Sequence, residues 1–182
     1  MAIHILGNGP SIRFFDREVW PETDAFVGCN FSDVELRPDY TVLVDVAAMK
    51  QFTRGDNGYE LRIPAILSSR AHRYLERDAG WNKVAPGKID IKDVVPLERD
   101  RTIARRLAMN SGQHATLYAI RNENNHDTVH LWCIDSYWST DLESKTDSIV
   151  RPHERRPRVK PSVTRQWNGY WHKIFSEQQK HR

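Results

Sequence analysis

The chain opens on an apolar run, Ile3 to Leu6, that breaks into Gly7-Asn8-Gly9-Pro10-Ser11. The same design returns at Asp24 to Cys29, closed by Asn30, at Tyr40 to Val44, closed by Asp45, and at Thr128 to Ile134, closed by Asp135. Apolar, β-branched runs without polar alternation predict strands covered on both faces, as in a parallel sheet. Pro64 to Leu67 predicts a further short strand, and Ile89, Ile91 and Val94, alternating with charge, fit a half-exposed strand or a long excursion. Helical patterns fall between them. An amphipathic segment, Ile12 to Trp20, predicts a first helix directly after the glycine turn. Val46 to Phe52 predicts a short helix, and Ser68 is placed to cap another that runs to about Asp78. Asn110-Ser111-Gly112 opens a helix running to Arg121. Ser162 to Gln178 closes the chain with Val163, Trp167, Tyr170, Trp171, Ile174 and Phe175 on one stripe, which predicts core packing. Strands alternating with helices imply an α/β fold with a mostly parallel sheet, here as one domain over residues 1–182. Ser139 to Pro161 has neither periodicity and is read as a polar, basic loop or lid.

Charge changes this picture in one place. The net charge is only +3, but Arg151, Arg155, Arg156, Arg158 and Lys160 stand against the single acid Glu154 inside the expected lid. Such a segment offsets phosphate charge, or contacts nucleic acid, or is a solvated face. No apolar run approaches the roughly 20 residues of a membrane span, and no leader pattern is visible at the N-terminus. The two cysteines, Cys29 and Cys133, sit inside strand-like runs and read as buried free thiols, which points to a reducing, cytoplasmic setting.

Candidate chemistry collects at the strand ends. In an open parallel sheet, ligands bind outside the carboxyl ends of the strands, where Asn8, Asn30, Asp45 and Asp135 are expected. Gly7 and Gly9 permit tight turning and close approach, and the turn they form is expected to offer backbone amides to an anion at a helix N-terminus. An ordinary βα turn with no ligand is the alternative. Ile12 stands where a dinucleotide fingerprint needs its third glycine. Asn110, Ser111 and Gly112 form a second helix start suited to a phosphate or sugar edge, or to simple capping. Tyr137 lies just beyond Asp135, and His153 in the basic loop is a candidate general base near neutral pH. The eight histidines are scattered and neither cysteine has a C-x-x-C partner, so no metal site and no cofactor is expected. P-loop and G-x-S-x-G patterns are also missing.

Four stretches in order carry a resemblance: LGNGPS at Leu6 to Ser11, Cys29-Asn30, Asn110-Ser111-Gly112, and CIDSYW at Cys133 to Trp138. Together they resemble bacterial sialyltransferases of the Campylobacter lipooligosaccharide type and related small phage and archaeal pterin pyrophosphokinase-like proteins. The likeness spans Ile3 to Tyr137. It implies a Rossmann-like domain and metal-independent transfer of a sugar from a CMP-activated donor, in the cytoplasm, including that of a phage-infected host. It also implies roles. Asn8, Gly9 and Ser11 would contact the nucleotide phosphate and ribose, and Asn30 would hold the donor; Gly7 and Asp45 join the expected nucleotide site from the turn and strand-end reading above. Asn110, Ser111 and Gly112 would meet its phosphate or carboxylate side, and Asp135 the ribose or base edge. Tyr137 would bond the leaving phosphate, and His153 would be the base.

Three departures qualify the likeness. Cys133 replaces the family's glycine, Asn110 replaces its threonine, and no second tyrosine occurs after Tyr137 before Tyr170. The partner implied is a nucleotide-sugar, with an unidentified acceptor that is a glycan, a small molecule or a modified nucleic acid. Homo-oligomer formation stays open. Two other readings compete. One is a nucleotide-dependent phosphotransferase with Mg²⁺ on Asp45 and Asp135. The other is a non-catalytic nucleotide or nucleic-acid binder.

Overall fold

The structure is a computed structural model and describes residues 1–30, 36–53, 61, 63–77, 89–96, 109–122, 126–135 and 159–180. Among these residues there are six strands: β1 (Ala2–Leu6), β2 (Ala25–Cys29), β3 (Tyr40–Leu43), β4 (Ala65–Ser68), β5 (Ile91–Val95) and β6 (Thr128–Trp132). All neighbours run parallel, in the order β5-β4-β3-β2-β1-β6. The α-helices among the described residues are α1 (Val46–Thr53), α2 (Ser69–Arg77), α3 (Ser111–Asn122) and α4 (Pro161–Lys180). The expected α/β architecture, with its parallel sheet and closing helix, is therefore present. None of these helices is long and apolar enough to cross a membrane.

Side-chain alternation along the strands divides the core into two layers. Ile3, Ile5, Val27, Cys29, Val42 and Ile66 face α3 and α4, where Ala115, Leu117, Ala119, Tyr170, Trp171 and Ile174 meet them. Leu43, Ala65 and Leu67 face the other way, onto Ala48, Met49 and Phe52 of α1 and Ala71 and Leu75 of α2. Each fully buried Ile or Leu contributes about 1.5–3 kcal/mol, so the central strands supply much of the driving force. The aromatic stripe of α4 is core, as its spacing predicts: Trp171 and Ile174 are wholly buried and Trp167 and Phe175 pack beside them. Ser68 does cap α2. Its hydroxyl accepts the Ala71 N–H at 3.1 Å and donates to the Val44 carbonyl at 2.8 Å.

Two expectations are corrected. The helix expected over Ile12 to Trp20 is only a short 3-10 turn, Pro10–Phe14, after which Phe15 is extended. The Asp16 carboxylate then accepts the Glu18 N–H at 3.0 Å, a local bond that competes with helix propagation. Ending the helix early lets the Phe15 and Trp20 rings reach Trp132, 5.3 and 5.5 Å away between centroids, while Phe14 and Val19 stay in solvent. The run expected to continue to Ile134 as a strand covered on both faces also stops early. Among the described residues β6 is an edge strand paired with β1 alone, half-buried over most of its length, and ends at Trp132. Cys133 at φ 59° turns the chain out of the sheet.

The order of the strands sets where a ligand fits. β2 to β5 extend on one side of β1 and β6 joins on the other. The direction of winding reverses between β1 and β6, and such a switch point opens a crevice at the carboxyl ends of the strands.

Candidate functional site

The turn after β1 and the exit of β6 are stitched together at that switch point. The Gly7 N–H donates to the Trp132 carbonyl at 2.8 Å and the Gly9 N–H to the Cys133 carbonyl at 2.9 Å. This approach leaves no room for a side chain. A Cβ on Gly7 would lie 2.3 Å from the Cys133 oxygen, and one on Gly9 would lie 2.4 Å from Asp135 Oδ2. Between the glycines, Asn8 Nδ2 donates to the Cys29 carbonyl at 2.5 Å, which ties the turn to the end of β2.

Asp135 completes the stitching. Its Oδ1 accepts the Ser11 hydroxyl at 2.5 Å and its Oδ2 accepts the Ser11 N–H at 3.2 Å. Ser11 is not the cap of the Pro10–Phe14 turn. The cap position belongs instead to Gly9, which has no side chain to offer. Several of the backbone amides expected to meet an anion here are already bonded within the fold. The Gly7, Gly9 and Ser11 amides are committed to Trp132, Cys133 and Asp135, Ile12 donates back to the Gly9 carbonyl, and Pro10 has no N–H.

The second half of the site is the start of α3. Asn110 and Gln113 form a reciprocal capping box: Asn110 Oδ1 accepts the Gln113 N–H at 2.9 Å, and Gln113 Oε1 accepts the Asn110 N–H at 3.1 Å. Gln113 Nε2 also donates to the Trp167 carbonyl at 2.6 Å, which braces this end of α3 against α4. The Ser111 hydroxyl donates to Asn30 Oδ1 at 3.0 Å, joining α3 to the end of β2. Asn30 is buried and held at φ 54°, a left-handed conformation that Asn tolerates better than most residues. A Cβ on Gly112 would meet Ile134 Cδ1 at 2.7 Å, a contact that a shift of the Ile134 side chain relieves. The positive end of the α3 dipole, with the Ser111 and Gly112 amides in its first turn, thus opens at the same sheet edge.

The structure therefore brings together Gly7, Asn8, Gly9, Ser11, Asn30, Asn110, Ser111, Gly112 and Asp135. Asp45 stands apart. It is exposed, its carbonyl accepts the Met49 N–H at 3.0 Å as the residue before α1, and it lies just past β3. β3 lies three strands from β6. At about 4.8 Å per spacing, its end is about 14 Å from that of β6, so Asp45 and Asp135 do not converge on one cation. Among the described residues no three His, Cys, Asp or Glu side chains gather as a metal site would require. Tyr137, His153, the basic residues Arg151 to Arg158 and the expected lid up to residue 158 lie outside the described residues.

Both thiols are free and buried, as their sequence setting predicts. Burial pushes the Cys133 thiol up to about 12, with the Asp135 carboxylate adding to the rise and the Ser11 bond opposing it. Burial likewise raises Cys29 far above its ordinary value.

One cluster escaped the sequence reading. His4 is fully buried in β1, on the face opposite Ile3 and Ile5, stacked on Phe26 at 4.7 Å and on His130 at 4.8 Å. Trp132 Nε1 is 3.0 Å from its Nδ1 and Asp24 Oδ2 is 3.2 Å from its Nε2. An indole nitrogen only donates, so Nδ1 is the acceptor and Nε2 carries the proton toward Asp24. Burial holds His4 below its usual pKa against the opposing pull of Asp24. The Ala2 N–H, then His4, hold Asp24 below the usual carboxylate range. The signal available in the sequence was a pair of histidines, His4 and His130, each inside an apolar run, with His130 two residues before Trp132.

Comparison with protein-family models, with curated proteins and with solved structures found no match to this chain. The reading of the site rests on its residues.

Proposed function

We propose that this chain is a glycosyltransferase-like enzyme that takes a sugar from a nucleotide-activated donor of the CMP-sugar kind, without a divalent metal, and passes it to an acceptor hydroxyl. The observation that carries the reading is the meeting of Asn8, Asn30 and the Ser111-Gly112 helix start in one crevice, at the switch point of a parallel sheet. These residues come from three distant stretches, and they are the stretches on which the family resemblance rests.

In this reading Asn8 and Asn30 present side-chain amides to the nucleotide. The first amides of α3 and its dipole offset the donor's phosphate charge. His153 takes the proton from the acceptor hydroxyl as its oxygen bonds the anomeric carbon. The bond from that carbon to the phosphate oxygen breaks, and the nucleoside monophosphate leaves with the electron pair, assisted by the Tyr137 hydroxyl. The basic stretch from Arg151 to Lys160 adds further positive charge for the leaving phosphate.

A thermal-shift panel of CMP, CDP, UDP, GDP, ADP and their sugars, run in EDTA, tests the proposal. A ligand that binds only the folded state raises the melting temperature by mass action, by about 2.7 kcal/mol of stability at one hundred times its Kd. A shift with CMP or a CMP-sugar supports the reading. A panel with no shift, or one that responds to ADP only after Mg²⁺ is restored, counts against it.

A further inference from the structure

We infer that the outward face of α2 is a docking surface for the phosphate backbone of a nucleic acid, held by Arg70, Arg73 and Arg77. The inference goes beyond the nucleotide reading above and does not depend on it, because α2 follows β4 and packs on the sheet face opposite α3 and α4.

With 3.6 residues per turn the three arginines fall within an arc of roughly 60°, and at 1.5 Å per residue they span about 10.5 Å of the helix axis. All three are exposed, while Ala71 and Leu75 bury the other side of the helix. Among the described residues none of the three has an ion pair or a hydrogen bond. Glu76, the acid of this helix, reaches instead to His72 Nδ1, 3.6 Å away. On the other flank Lys50 of α1 lies over the Tyr74 ring, 5.5 Å from its centroid, and adds a fourth cation.

This arrangement works against the helix itself. Arg70 with Arg73, and Arg73 with Arg77, are like charges at i,i+3 and i,i+4, which destabilises a helix. Arg70 also stands in the first turn, where the macrodipole favours an acid, and no acid is there. Stability alone does not account for such a stripe, whereas an anion supplied from outside matches its charge. Along one strand of a duplex, phosphates recur about every 3.4 Å of axis, so about three face a surface of this length. A lone phosphate does not span it. A membrane surface fits less well. An interfacial helix carries large apolar side chains beside its cations, and among the described residues the exposed ones, Met1, Phe14, Val19 and Val94, all lie off α2.

The test is fluorescence anisotropy of a short labelled DNA duplex of mixed sequence with the full chain, from about 50 to 200 mM salt. Wild type is expected to bind with an affinity that falls steeply as salt rises. Arg70→Gln/Arg73→Gln/Arg77→Gln removes about three phosphate contacts, so the slope of log K against log salt becomes shallower by about 2.7 and the affinity falls at least about tenfold. The same variant is expected to melt at or above the wild-type temperature, because repulsion within α2 is gone, whereas a face that served the fold alone would melt lower. Arg70→Glu, which puts an acid in the first turn, is a second variant expected to weaken duplex binding with no loss of stability. Arg13→Gln/Arg165→Gln/Lys173→Gln removes the same charge from exposed positions elsewhere and is expected to change the slope by about one or less. No duplex binding by wild type at the lowest salt, an equal loss in the matched variant, or binding to anionic vesicles but not to DNA overturns the assignment. Titration of CMP into the same proteins keeps the two claims apart. A chain that binds CMP but no duplex refutes this docking surface and leaves the nucleotide reading standing. A chain that binds duplex through α2 but no CMP supports the surface and refutes that reading.

Discussion

Lowering the pH from 8 to 5 perturbs the buried His4. Both ring nitrogens are committed, Nδ1 to the Trp132 indole and Nε2 to Asp24, so a second ring proton would point at the indole N–H. Burial and the neighbouring His130 oppose the charge, and Asp24 favours it. Farther out, Arg17 lies over the Phe26 ring that stacks on His4. The net effect is a folded-state pKa below the ordinary 6.5. Above the ordinary value His4 is neutral in both states and its contribution is complete. Below it the unfolded chain takes up a proton that the folded chain refuses, so stability falls as pH falls. One proton costs at most about 1.4 kcal/mol per pH unit, hence up to about 2 kcal/mol between pH 6.5 and 5. For a chain of this size that is about 4–8 °C in Tm. Asp24 titrates below this window, since its pKa is lowered from 3.8. The assay is urea unfolding monitored by tryptophan fluorescence, in wild type and His4→Phe. The variant keeps a ring on Phe26 but leaves the Trp132 N–H without its acceptor, at a cost of about 1–3 kcal/mol at pH 8. The wild-type excess stability over His4→Phe is expected to shrink on acidification. A gap that stays constant from pH 8 to 5 refutes the reasoning.

Other outcomes rest on single contacts. Gly7→Ala is expected to cost about 1–3 kcal/mol, at the upper end because the clash is with the Cys133 backbone oxygen, 2.3 Å from the new Cβ; a Tm unchanged from wild type would contradict the close approach of β1 and β6. Asn110→Ala should lose about 1 kcal/mol in chemical denaturation by opening the capping box, and Asn110→Ser should recover most of it. Cys29 and Cys133 should stay inert to a thiol reagent at pH 8 until urea unfolds the chain, since both are buried and their thiolates disfavoured. Rapid labelling of the folded protein would place at least one of them at the surface.

Four of the strands were legible because each is a short apolar block followed by a polar residue: Asn8, Asn30 and Asp45 come within two residues of the ends of β1, β2 and β3, while Asp135 lies three residues past the end of β6. Capping chemistry is local, so Ser68 and Asn110 could be read directly as helix starts. What failed was non-local. Ile12 to Trp20 has helical spacing, but Phe15 and Trp20 gain more from packing on β2 and β6 than from continuing a helix, and neither partner is adjacent in sequence. The commitment of Ser11 was hidden for the same reason, since nothing near it announces that Asp135 will take its N–H and hydroxyl. Asp45 looked equivalent to the other strand ends until strand order placed β3 two positions from β1. His4 was hidden because a histidine in an apolar run gains its meaning only from Asp24, His130 and Trp132 around it.

The central claim, a nucleotide site in the crevice between β1 and β6, is tested most directly by calorimetric titration of CMP into wild type, Asn8→Ala and Asp45→Ala in EDTA. Wild type is expected to bind, Asn8→Ala to lose at least tenfold in affinity with an unchanged fold, and Asp45→Ala, altered two strands away, to bind as wild type does. Equal CMP affinity in wild type and Asn8→Ala, or a loss confined to Asp45→Ala, would contradict it.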